Sequence, residues 1–185
     1  MILFALGTIW VEDNFMSIAQ SLLSEFDHEM ASTRKTLERV PDNKLEYTPD
    51  PKSMSMGKLA SHVAEMCGWL PAMMEGPELD IPAEFKPFMA TSQKQLLETF
   101  DKNVAGSRAA LAAAGDQALM QDWSLKFAGN TMFTMPRIAC YRTMIMNHVI
   151  HHRAQLTVYF RLNGIPVPAL YGPSADEGQQ AAAGH

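Results

Sequence analysis

The chain has 185 residues, 47% of them apolar, and a net charge of −5. That length suits one domain, and the apolar fraction fills a core and excludes a disordered chain. Acids and bases are mixed along it without a Lys or Arg run, which excludes the broad basic face that nucleic-acid binding requires.

Residues 1–15, "MILFALGTIWVEDNF", form an apolar run with no basic residue before it and with Glu12 and Asp13 after it. A secretory signal wants a basic start and a small-residue cleavage site, and a bilayer span needs about 20 apolar residues. This stretch is expected to be an N-terminal appendage, with the regular pattern beginning at Met16, itself a candidate initiator. No transmembrane segment is expected. Cys67 and Cys140 lack CxxC spacing, so they read as reduced packing residues of a cytoplasmic protein.

From 17 to 40, Ile18, Leu22, Leu23, Phe26, Met30, Thr33, Leu37 and Val40 recur at three- and four-residue steps. They make one apolar stripe on an amphipathic helix. Pro41 ends it, and the proline-bearing stretch to residue 55 reads as a loop. A second helix is expected from Met56 to Glu75, capped by Ser53 or Ser55. It carries Leu59, His62, Val63, Met66, Trp69, Leu70 and Met73 on one face, and Gly76-Pro77 stops it. Residues 76–91 hold Pro77, Pro82 and Pro87 and are expected to be a crossing loop. A third helix runs from Ser92 to Ala114, burying Leu96, Phe100, Val104 and Leu111.

Trp123, Leu125 and Phe127 then alternate with polar residues, the period of a strand. Gly129-Asn130 offers the turn of a short hairpin. The fourth helix starts near Pro136 and ends at Leu162, with Asn163-Gly164 as a left-handed stop. Residues 166–185 are a small, polar tail, expected to be mobile. The chain therefore reads as all-α: a four-helix bundle over 16–165 with long crossing loops and a small β-hairpin before the last helix.

The last helix holds "NHVIHHRAQLTVYF", with His148, His151 and His152. At about 100° per residue, His148 and His152 lie about 40° apart on one face, one turn above the other. Two imidazoles so spaced can chelate one ion. His151 points about 60° to the other side of His148 and does not join them. The pair shares its face with Tyr141, Ile145, Gln155 and Tyr159. That face is expected to look inward, as the helix shows no other continuous apolar stripe. A catalytic ion usually takes three protein ligands and keeps an open position. The natural third is His62, on the stripe face of the second helix, because a bundle core brings such positions together. Three neutral histidines in a core would otherwise cost desolvation three times over. Glu25 and His28 in "EFDH" have the Glu-x-x-His spacing of di-iron bundles, but the chain holds no second copy.

"LASHVAE" in the second helix, "MPR" at the start of the fourth, and "NHVIHHRAQLTVYFRLNGIPVP" resemble the DinB-like (DinB/YfiT) family over about residues 16–165. Members tend to carry a histidine and then His-Arg-Gly-Gln four residues on; here Ala154 replaces that glycine. The resemblance implies a four-helix bundle, often a homodimer, with a divalent metal on three histidines, carried over as His62, His148 and His152. It also implies, for some relatives, metal activation of a low-molecular-weight thiol for transfer or isomerisation.

The expected function is thus a metal-dependent enzyme, a hydrolase or a thiol-dependent transferase acting on a small molecule, with zinc or nickel as the ion. Imidazole ligands do not choose between those metals. The alternatives are a non-catalytic metal- or ligand-binding dimer linked to stress, and a purely structural bundle.

Overall fold

Ser17 opens the first helix, α1 (Ile18–Leu37): its hydroxyl accepts from the Gln20 amide and its own amide donates to the Gln20 side chain. This reciprocal box satisfies two donors that a helix start leaves free. The computed structural model describes residues 16–178, so the expected appendage over 1–15 lies outside the described residues. The expected stripe is the buried face, with Leu22, Phe26, Met30, Thr33 and Leu37 all inside.

The second expected helix is two. α2 (Met56–Met66) starts at Ser55, whose hydroxyl accepts from the Lys58 amide, and α3 (Trp69–Glu75) follows after Cys67-Gly68. Pro71 explains the break: it has no N–H, and its ring opposes the carbonyl four residues earlier. That carbonyl, of Cys67, accepts from the Ser107 hydroxyl, and the Ala64 carbonyl accepts from Asn103 Nδ2 at 2.9 Å. Both donors lie on α4 (Gln93–Ala113). A Cβ at residue 68 would stand 2.6 Å from Asn103, so glycine is what lets α4 approach the break.

The expected crossing loop contains a strand, β1 (Glu78–Ile81). It pairs in parallel with β2 (Asp122–Phe127), which forms the expected hairpin with β3 (Asn130–Pro136). The result is one three-stranded sheet in the order β1-β2-β3, with the short helix α5 (Asp116–Met120) leading into the hairpin. The turn sits one residue earlier than expected: Ala128 and Gly129 both have positive φ, 48° and 78°, as a type I′ turn demands of its two central residues. The rest of the crossing loop is tied to α2, since Glu65 accepts from the Phe88 amide and Ser61 from the Ala90 amide.

The last helical stretch is continuous but not uniform. α6 (Arg137–Cys140) passes into a π-helical segment (Tyr141–Met146) and then α7 (Asn147–Leu162). The wider turns shift the phase of everything after them. α7 ends in a Schellman motif: Gly164 has φ 66° and the Ile165 amide bonds the Phe160 carbonyl at 2.9 Å. α1 and α2 each pack on both α4 and α7. The described part of the chain is thus predominantly helical with one small sheet. None of its helices is long and apolar enough to cross a membrane.

The tail is held through residue 178. Asp176 pairs with Arg161 and accepts from the Val167 amide, Glu177 pairs with Arg39, and Tyr171 reaches Arg153 and Glu29. These charges tie down a stretch that composition alone marks as mobile.

Candidate metal centre

α2 presents His62 and α7 presents His148 and His152, and the two helices pack together. The His62 ring lies 5.1 Å from each of the other two, centroid to centroid, and those two lie 4.6 Å apart. One ring nitrogen from each of the three falls within 4.8 Å of the others. The structure therefore brings together all three residues expected from the sequence. No fourth His, Cys, Asp or Glu among the described residues completes the group.

Hydrogen bonds orient two of the rings. His148 Nδ1 lies 3.3 Å from the Met144 carbonyl, and His152 Nδ1 lies 2.7 Å from Gln155 Oε1. With Gln155 oriented Oε1 toward the ring both partners accept, and the protons are assigned to Nδ1. The Nε2 atoms then face one another as bare lone pairs, 2.9 Å apart. Such a pair repels unless a cation lies between or beside the nitrogens. Burial, with the neighbouring histidines, lowers the His62 pKa to about 4. Burial and the adjacent His152 lower that of His148 as well. The His62 and His148 rings are thus held neutral, the form that ligates a metal.

The histidine face is not the sole inward face of α7. Val149, Leu156 and Phe160 are fully buried, and with Arg153 they form a separate core face. His152 is 8% exposed and His148 half-buried, so the cluster sits at the rim of the core, within reach of solutes. That core face contains an arginine, a residue type found mostly at the surface. Arg153 is instead buried, bonded to Glu29 at 2.7 Å and to the Thr33 hydroxyl.

The other candidates fall outside the cluster. His151 is exposed, its ring 4.9 Å from that of His152. Glu25 pairs with Arg142 and exposed His28 stacks on Tyr171, so the di-iron spacing is not used. Tyr141 is fully buried with its hydroxyl unpartnered among the described residues, and burial raises its pKa. Gln155 acts through His152, and the Tyr159 hydroxyl bonds the Met54 carbonyl. Both Cys67 and Cys140 are free and buried, with pKa values raised by burial, so neither is a reactive thiolate.

Two features border the cluster: Trp69, already on the expected stripe with His62, and a recess that sequence reading did not show. Trp69 stands 5.9 Å from the His62 ring and 6.3 Å from that of His148. On the other side, Lys52, Ser53, Gln155 and Tyr159 line an open recess of about 270 Å³ that reaches His152. Arg137, of the "MPR" stretch, supports the region: it donates to the carbonyls of Met73 and Gly76 at the end of α3 and to that of Ala118 on α5.

Two solved structures share this architecture, and a curated relative is similar in sequence. A DinB-like protein from Bacillus cereus is 26% identical, with a TM-score of 0.65, over 84% of this chain and 98% of its own. The DinB-like protein YjoA from Bacillus subtilis shares the fold at 19% identity and a TM-score of 0.60, over 80% of this chain and 96% of its own. YrdA of Bacillus subtilis, described as uncharacterized, is 26% identical over 162 residues, covering 84% of this chain and 89% of its own. Residues 14–183 match the DinB family as a whole, and the chain belongs to that family.

Proposed function

We infer that the protein is a metal-dependent enzyme built on a four-helix bundle, with one divalent ion, zinc or nickel, held by His62, His148 and His152. The observation that carries this reading is the pair of Nε2 atoms 2.9 Å apart whose Nδ1 atoms are both engaged by acceptors. The donor set fits the group. A tetrahedral ion with Zn–N bonds of about 2.0–2.1 Å spaces its nitrogens by about 3.3 Å, close to the separation here. Engagement of each Nδ1 by an acceptor is the usual support of a metal-ligating histidine. Three ligands without a fourth favour an open position, and so catalysis over a closed structural site.

When bound, the ion supplies Lewis acidity and lowers the pKa of a coordinated water or thiol. The chain's own residues do the rest. Met144 and Gln155 fix the two α7 imidazoles. Lys52, Ser53 and Gln155 offer polar contacts to a small molecule entering at His152. That polar recess favours a low-molecular-weight thiol as cosubstrate, and a thiol-dependent transferase over a hydrolase, since such thiols carry charged and amide groups. The reading includes a homodimer; exposed Val158 and Leu162, one turn apart on α7, support a face that a second copy could cover.

The test is a paired screen of zinc- and nickel-loaded protein. One arm offers thiols with an electrophilic acceptor, the other offers esters and amides. Thiol consumption that disappears in His152→Ala supports the transferase. Ester or amide turnover with no thiol requirement supports the hydrolase. Metal bound without turnover in either arm would leave a non-catalytic binding module.

A further inference from the structure

A partly open apolar cavity of about 220 Å³ lies between α3, β1, β2 and the π-helical segment. Trp69, Leu79, Ile81, Trp123, Leu125 and Met144 form its wall together with Phe85, which is 50% exposed. Two of these residues also border the histidine cluster. The Trp69 ring is in contact range of His62 and His148, and Met144 gives its side chain to the cavity and its carbonyl to His148 Nδ1.

The cavity is a product of the features that interrupt the regular pattern. The break before α3 places Trp69, β1 supplies Leu79 and Ile81 from one face, and the π-helical segment turns Met144 toward it. An engineered apolar cavity of about 150 Å³ stays dry and takes up benzene. A cavity of 220 Å³ therefore has room for a substituted aromatic ring. Apolar walls with polar or metal-ligating groups at one end are the usual make-up of a small-molecule site.

We propose that this cavity is the subsite for an aromatic or similarly bulky apolar arm of the substrate, whose reacting head reaches past Trp69 and Met144, the residues that border both, to His62 and His148. The substrate is thus a small molecule with one uncharged aromatic end. The polar recess on the far side, at His152, is left to the second, hydrophilic reactant. This assignment rests on the three-histidine reading and extends it by naming the class of substrate.

The test has two stages. Toluene is first titrated into metal-free protein while the indole N–H signals of Trp69 and Trp123 are followed by NMR. Both signals are expected to shift saturably in wild type, and neither in Ile81→Trp, which fills the cavity. Phenylmethanethiol and 2-mercaptoethanol are then compared by calorimetry on zinc-loaded protein. The aromatic thiol is expected to bind at least about tenfold more tightly, the scale on which apolar pockets discriminate. That advantage should shrink in Phe85→Ser, a change at an exposed position that leaves the core intact. Indole signals unmoved by toluene, or equal affinity for the two thiols, would overturn the proposal. Zinc that fails to bind would overturn the three-histidine reading instead, and the metal-free toluene titration tells the two failures apart.

Discussion

Gln155 Oε1 sits 2.7 Å from His152 Nδ1, and so decides which nitrogen of that ring faces His148. Removing an acceptor of this kind from a metal-ligating histidine typically costs 10–100-fold in metal affinity. Gln155→Leu is therefore expected to weaken zinc binding by about that factor. Gln155 is exposed, so the fold should be unaffected. Competition against a chromophoric chelator measures the affinity, and circular dichroism checks the fold. Unchanged affinity would show that the His152 ring is set by packing alone.

Acid should destabilise the metal-free protein. The folded His62 has a pKa lowered to about 4, chiefly by burial, and His148 is also lowered. An ordinary histidine titrates near 6.5. As pH falls from about 6.5 toward 4, the unfolded chain takes up protons that the folded chain refuses, so unfolding becomes more favourable. The contribution is fully present above about pH 6.5 and is lost as pH falls to about 4. The melting temperature of metal-free wild type is expected to drop across this window, and that of His62→Gln to drop less. Parallel curves for the two proteins would remove His62 as a source of the effect.

Arg153 should matter for stability more than any exposed ion pair. It is 1% exposed and bonds Glu29 at 2.7 Å, the Glu29 carbonyl at 3.0 Å and the Thr33 hydroxyl at 3.1 Å. Removing one partner of a buried pair costs about 3–5 kcal/mol, because the other charge is left without compensation. Arg153→Met is expected to lose about that much in urea unfolding, whereas Arg108→Met, which breaks an exposed pair with Asp27, should lose far less. Equal losses would mean that Arg153 acts through packing rather than charge.

The histidine cluster is more legible in the sequence than the cavity beside it, for a physical reason. His148 and His152 are fixed by the helical repeat alone, and His62 follows once two amphipathic stripes must face one core. The elements that build the cavity depend on distant partners. β1 is four residues between prolines, and its pairing with β2 at Glu78–Ser124 cannot be read from its own composition. Pro71 does announce the break before α3, but the apolar stripe running from Leu59 to Met73 masks it. The burial of Arg153 has no local signal, because its partners, Glu29 and Tyr171, come from the far ends of the domain. The hairpin was legible, and its turn was displaced by one residue because Ala128 accepts a left-handed backbone to satisfy the type I′ geometry.

The three-histidine centre is the claim on which the functional reading stands, and metal content tests it most directly. Tag-free protein would be equilibrated with zinc or nickel, freed of excess and assayed for bound ion, beside His148→Ala and the exposed neighbour control His151→Ala. About one ion per chain in wild type and in His151→Ala, with none in His148→Ala, is the predicted result. Wild type without bound metal, or an ion retained by His148→Ala, would contradict the account.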